Sequence, residues 1–245
     1  MSIAQNLVNN IIRWKALPLQ SLFALEETSD NYKSFITTSH RLKRQGLIDT
    51  VLMGTPTGDK IAFPTEKLLK EYKDEGTLKI YEKQLTHDAL VSLFCLGMMK
   101  LDSFIDADID DRLYGINRFK NSREYYPDAE LVGRKKKTLI QVAVELELTQ
   151  KSHARIKTKF QRYVDSGFYR KVIFAFTNKR LMEHYYNILS AYYPKADFPD
   201  IHKRIVFTFA KTSDLIEMDV TNLDAIHDTE IKKLDEINYY PGVFF

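Results

Sequence analysis

Two short runs, VIFAF at residues 172–176 and IVFTFA at residues 205–210, are almost wholly apolar and rich in β-branched and aromatic residues. Each is too short for a helix, and each follows a segment of helical periodicity, SHARIKTKFQRYV before the first and NKRLMEHYYNILSAYY before the second. A strand apolar on both sides must be covered on both faces, and one reached through a helix pairs parallel with the strand before it. The chain is therefore committed to an α/β core, α+β overall, with helices flanking a mixed sheet. Upstream, AELV and LIQVAVELEL read as two strands joined by GRKKKT, short enough to make them antiparallel neighbours.

Composition narrows the setting. The 245 residues suffice for one large domain or two small ones, and one cysteine, Cys95, excludes an internal disulfide and a cysteine-based zinc site. The N-terminal MSIAQNLVNNIIRWKAL interrupts its apolar residues with Gln, Asn and Arg, which fits neither a signal segment nor a membrane span, so the expectation is a cytoplasmic protein without membrane insertion. A net charge of +3 is too small to argue for nucleic acid by itself; the placement of the basic residues has to carry that argument.

Residues 1–80 have the layout of a winged helix-turn-helix. Two apolar-periodic segments are divided by Pro18, and YKSFITTSHRLKRQGLI follows, with Tyr32, Phe35, Ile36 and Leu42 on one helical face and Ser34, Thr38, Arg41 and Gln45 on another. Gly46 caps that helix. GTPTGD between two apolar runs reads as a hairpin wing with only Asp59 and Lys60 charged at its turn, and TEKLLKEY reads as a last helix. The donor-rich face of Ser34, Thr38, Arg41 and Gln45 is the candidate DNA reader; the alternative is a small helical domain that touches only protein. A polar boundary near residue 80 leads into a second domain, 81–215, opened by an apolar helix capped at Thr86, and residues 216–245 form a C-terminal tail. The stretch IDADIDDRLYGINRFKNSRE shows no clear period and reads as loop with short structure.

The chemistry lies in the strands. In QVAVELEL, Val142, Val144, Leu146 and Leu148 point one way and Ala143, Glu145 and Glu147 the other, while Asp128 and Glu130 share a face of the preceding strand. Carboxylates gathered on one patch of sheet repel strongly, and a divalent cation relieves the repulsion; hard oxygens without His or Cys favour Mg²⁺ or Mn²⁺. The alternative is an amphipathic hairpin with its acids in solvent. With Thr149 as cap of the next helix, Lys151, Arg155, Lys159 and Arg162 fall within an arc of about 80°, a basic stripe beside the acids, as a phosphodiester with flanking phosphates requires.

Asp128 in PDAELVG, then Glu145-x-Glu147 and Lys151 in VAVELELTQKSHARI, resemble the PD-(D/E)xK restriction-endonuclease-like core. More narrowly, they resemble the mobilisation C type of plasmid relaxase and the related replication-relaxation proteins, which are similar in placing a winged helix before such a core. The resemblance spans about residues 125–165. It implies that Asp128 and Glu145 are metal ligands and that Lys151 stabilises charge at the phosphate or positions water. Glu147 departs from the pattern, standing where that family has lysine; it is either a further ligand, or Lys151 reaches back to fill the place. Glu130 matches no motif position and is a supporting candidate, as is His87, whose alternative role is a helix cap. Among the tyrosines nothing selects a nucleophile.

The resemblance implies metal-dependent nicking of one DNA strand at a plasmid origin of transfer to start conjugative mobilisation. Its partners would be double-stranded and locally single-stranded DNA, an accessory mobilisation protein and a coupling protein. The rivals are a non-catalytic replication-initiation or partition protein on a nuclease-like scaffold, and a sequence-tolerant nuclease.

Overall fold

In the computed structural model, which describes residues 2–26, 31–54, 58–72, 80–109, 126–135, 138–228, 230–237 and 239, the chain begins with helix α1 (Ile3–Trp14). Ser2 caps it by accepting from the Gln5 N–H, and its buried stripe is Leu7, Val8, Ile11 and Trp14. Lys15, at φ 62°, turns the chain sharply, with the Ala16 N–H donating to the Trp14 carbonyl at 2.6 Å. A two-residue strand β1 (Leu17–Pro18) and helix α2 (Leu19–Ala24) follow, so Pro18 stands where its missing N–H costs nothing. Helix α3 (Tyr32–Arg44) buries Phe35, Ser39 and Leu42. Gly46, at φ +70°, ends it as expected: its N–H donates to the Lys43 carbonyl and the Leu47 N–H to that of Leu42. Strands β2 (Ile48–Leu52) and β3 (Lys60–Pro64) form the expected hairpin, with residues 55–57 of its turn outside the described residues. β1 pairs on the free side of β3, giving the order β1-β3-β2, and α4 (Glu66–Glu71), capped by Thr65, closes the unit.

Helix α5 (Leu85–Met98) opens the second unit, and one hydrophobic core runs from α1 and β3 through α5 into the large sheet. Polar links cross the same junction. The Ser92 hydroxyl donates to the Trp14 carbonyl, Lys15 pairs with Asp88 at 3.0 Å, and Arg13 pairs with Asp106. Thr86 lies inside the first turn of α5 and donates to the Met53 carbonyl at 3.3 Å; the capping position belongs to Gln84, so the expected Thr86 cap is replaced by a tie between the units.

Seven strands form the second sheet in the order β10-β9-β8-β7-β6-β5-β4. They are β4 (Phe104–Ile109), β5 (Ala129–Lys135), β6 (Thr138–Glu147), β7 (Lys171–Phe176), β8 (Ile205–Phe209), β9 (Asp224–His227) and β10 (Glu230–Lys233). β4, β5 and β6 are antiparallel neighbours, β6, β7 and β8 run parallel as the sequence predicted, and β9 and β10 return antiparallel. Helices α6 (His153–Ser166) and α7 (Lys179–Tyr192) are the crossovers, and all six residues of β7 are buried between helices. Short helices α8 (Pro199–Arg204) and α9 (Thr212–Ile216) flank β8. Five of these elements were not predicted: β4, whose acids hide an alternating pattern, the short helices α8 and α9, and the two strands of the hairpin β9–β10, which extends the sheet from within the supposed tail. Residues 110–125, most of the stretch read as loop, lie outside the described residues. Among the described residues no helix is long and apolar enough to cross a membrane.

α5 carries Gly97 against the loop before β9. A Cβ there would stand 2.7 Å from Val220 Cγ1 and 3.3 Å from the Met218 carbonyl, and Val220 is fully buried. Gly97→Ala should therefore destabilise the protein by about 1–3 kcal/mol despite alanine's better helix propensity, as read by urea denaturation.

Candidate functional site

β6 divides its side chains as predicted. Ile140, Val142, Val144 and Leu146 enter the core under α5, whereas Ala143 enters the one under α6 and α7, and Glu145 and Glu147 share that side by alternation. Above the C-terminal end of β6 opens a cleft of about 760 Å³, walled by the start of α5, the residues after β6, and α6. Five lysines and arginines line it, Lys83, Lys151, Arg155, Lys159 and Arg162, with His87 beside them, against two carboxylates, Asp128 and Glu147. α6 also points its N-terminal end at the cleft, which adds positive potential. The setting suits a polyanion.

The acids are held individually. Asp128, in the bend just before β5, accepts from the Leu146 N–H at 2.8 Å and faces His87 Nε2 at 3.3 Å. His87 also lies 3.1 Å from the Leu146 carbonyl and 3.6 Å from Asp88. Burial would lower the His87 imidazole, but its hydrogen bonds to Asp128 and Asp88 outweigh that and raise it to about 10. Burial likewise opposes ionisation of Asp128, yet His87 and the Lys159 charge hold it below the ordinary carboxylate range.

Glu145 is fully buried. Lys159 Nζ donates to its Oε2 at 2.8 Å and to Glu147 Oε1 at 2.7 Å, and the Tyr163 hydroxyl donates to Glu145 Oε1. Burial still dominates and pushes the Glu145 carboxyl up to about 8, against the lowering effect of Lys159. Tyr185 lines the cleft floor; its fully buried phenol is pushed above the ordinary range by burial and by the Glu147 charge, and its hydroxyl has no hydrogen-bond partner of normal geometry among the described residues.

The sequence-derived candidates are thus partly brought together. Asp128, Glu145, Glu147 and His87 gather at one end of the sheet. Lys151 lines the cleft but bonds Thr149 at 3.2 Å, and the lysine on the acids is Lys159. The cause is the helix start: Ser152, not Thr149, is the cap, so Lys151 precedes α6. Lys159 and Tyr163, four residues apart, then share the side of α6 that meets β6. That i, i+4 pair was the available signal for both residues. Glu130 is buried opposite Ala143 and does not line the cleft. On α3, Ser34, Arg41 and Gln45 are exposed and Thr38 is half-buried, but Lys33, Thr37, His40 and Arg44 project from the same open surface and were missed. Lys43 is tied to Asp49 at 2.6 Å.

The donor chemistry of three carboxylates suits Mg²⁺ or Mn²⁺. Their placement does not, while the Lys159 ammonium stands between two of them; among the described residues no group of three His, Cys, Asp or Glu side chains is placed to hold an ion.

His87 gives the site a pH signature. A histidine raised in the folded state binds its proton more tightly there, so its stabilisation is complete below about 6.5 and is lost as pH rises through about 10. Lys171, lowered to about 8 by burial, works in the opposite direction above pH 8. Subtracting a His87→Gln stability profile from the wild-type profile isolates the first effect: the difference should fall by about 2 kcal/mol between pH 6.5 and 10, measured by chemical denaturation.

Comparison of the chain with protein families, with curated proteins and with solved structures gave no match in any of the three.

Proposed function

We propose that the protein is a DNA strand-nicking protein of the relaxase type, acting at a plasmid origin of transfer, with the cleft above β6 as its cleaving site and α3 as its duplex reader. The observation that carries this reading is the meeting, at one end of a sheet, of buried acids with perturbed protonation and a row of cations. The order α5-β4-β5-β6-α6-β7, with Asp128 at the head of the middle strand and Glu145 and Glu147 at the end of the next, supports a restriction-endonuclease-like core. The order β1-β3-β2 after α1, with α3 lying before the hairpin, supports a winged helix.

In this reading Lys83, Lys151, Arg155 and Arg162 hold phosphates flanking the scissile bond. His87 and the Leu146 N–H fix Asp128, and Lys159 and Tyr163 fix Glu145, so the acids are oriented before a strand arrives. A Mg²⁺ or Mn²⁺ ion, the Lewis acid that this chemistry calls for, would need Lys159 to leave Glu145 and Glu147 first. Double-stranded and locally single-stranded DNA are the partners, together with an accessory mobilisation protein and a coupling protein.

The Lys159 bridge favours one alternative, a replication or partition protein whose nuclease-like unit only binds DNA. Supercoiled plasmid bearing the cognate site, incubated with Mg²⁺, Mn²⁺ or a chelator, separates the cases. Nicked circles that require metal are the expected product. Specific binding without relaxation under any metal selects the scaffold, and linear or degraded DNA lacking the site selects a sequence-tolerant nuclease.

A further inference from the structure

Three consecutive residues in the first turn of α5 reach three different parts of the molecule. Thr86 donates to the carbonyl of Met53, just past the wing strand β2. His87 faces the sheet, its Nε2 3.3 Å from Asp128 and 3.1 Å from the Leu146 carbonyl. Asp88 faces back to the end of α1, where Lys15 meets it at 3.0 Å. Because Asp88 also stands 3.6 Å from His87 Nδ1 and Asp128 accepts from the Leu146 N–H at 2.8 Å, a line of alternating charge runs from Lys15 to the end of β6. Lys15, Asp88, His87 and Asp128 line one cavity of about 80 Å³, which shares His87 and Asp128 with the cleft.

Lys15 occupies its place at a cost. It is 5% exposed, and at φ 62° its backbone adopts a conformation strained for a residue with a Cβ. Glycine would make the same turn without strain, and an apolar side chain would enter the core without desolvating a charge. Neither would reach Asp88. A strained backbone persists where its surroundings over-determine it, and what surrounds this one is the support of the cleft.

We propose that Lys15, a residue of the DNA-reading unit, is a positioning residue of the cleft: it holds Asp88, Asp88 orients the His87 ring from Nδ1, and Nε2 then holds Asp128 against the Leu146 N–H. Lys15 does not line the cleft itself. Thr86 ties the same turn to the wing, so the acid just before β5 keeps its aim only while the two units keep their register. The inference rests on the nicking reading for its kinetic test alone.

The test uses the full chain and two variants. Lys15→Met removes the ammonium and keeps the stem, whereas Lys15→Met with Asp88→Asn removes both charges, so that no buried ion is left alone and the fold stands. Hydrogen exchange at the Leu146 amide, read by NMR, should quicken about ten-fold in both, with Ile173 in the neighbouring strand β7 unchanged. In nicking assays kcat should fall about 10- to 100-fold with KM for the plasmid unchanged. A plain strut between the units would behave otherwise: the double variant would recover, and the single one would quicken Leu146 and Ile173 together. Leu146 exchange at the wild-type rate in the double variant, equal quickening at both amides, or an unchanged kcat overturns the positioning role. Quickened Leu146 exchange alone, in a protein whose wild type does not nick, keeps that role and removes the nicking reading.

Discussion

Glu145→Gln should lower plasmid nicking by about 10³-fold while leaving the protein folded and able to bind DNA. The two outcomes separate because of how Glu145 is held. Its side chain is fully enclosed, with Lys159 on one oxygen and Tyr163 on the other. Glutamine keeps that shape; its carbonyl can accept from Lys159 and its amide can face the Tyr163 oxygen, so no buried polar group loses its partner. What disappears is the capacity to ionise. A carboxyl raised in the folded state takes its proton more readily there, so its stabilisation is complete below the unfolded value near 4.5 and is lost as pH climbs to about 8. The variant should lack that slope and match or exceed the stability of the wild type at pH 8. Nicking at the wild-type rate by a folded Glu145→Gln chain would make the acids structural and leave the cleft a binding surface.

The sequence disclosed strand content and facing well because both follow from period. The alternation in QVAVELEL placed Glu145 and Glu147 together on one face of β6, which the structure turns toward α6, and the apolar run of β7 predicted a strand covered on both faces. It disclosed β4 poorly, since FIDADI carries acids at positions that a half-buried edge strand tolerates. The β9–β10 hairpin escaped for a related reason: its exposed sequence is mostly charged, and its place in the sheet depends on β8 being there to pair with. Within the site, the error was three residues in one helix start. Reading Thr149 as the cap put Lys151 on the helix, whereas Ser152 accepts from the Arg155 N–H and opens α6 three residues later. The lysine that meets the acids is fixed by that phase, and phase is a tertiary matter when Thr and Ser both offer caps within one turn.

Reversing two charges on the cleft wall, Arg155→Glu with Arg162→Glu, should weaken DNA binding about 100-fold at moderate salt and lower the slope of log affinity against log salt by about 2. Both side chains are exposed on α6 and line the cleft, so the fold should tolerate the change. Each arginine removed from a phosphate takes away close to one released counterion, and each glutamate introduced adds repulsion at the same place. The weakening should be the same for cognate and unrelated sequences, because phosphate contacts carry no base information. Arg41→Ala with Gln45→Ala on α3 should do the reverse, narrowing the gap between cognate and unrelated DNA by about 1–3 kcal/mol for each base edge no longer read, with a smaller change in salt slope. Filter binding across a salt series distinguishes the two. If the α6 reversal leaves the slope unchanged, the strand does not lie along that wall, and the acids beneath it have no phosphate to act on.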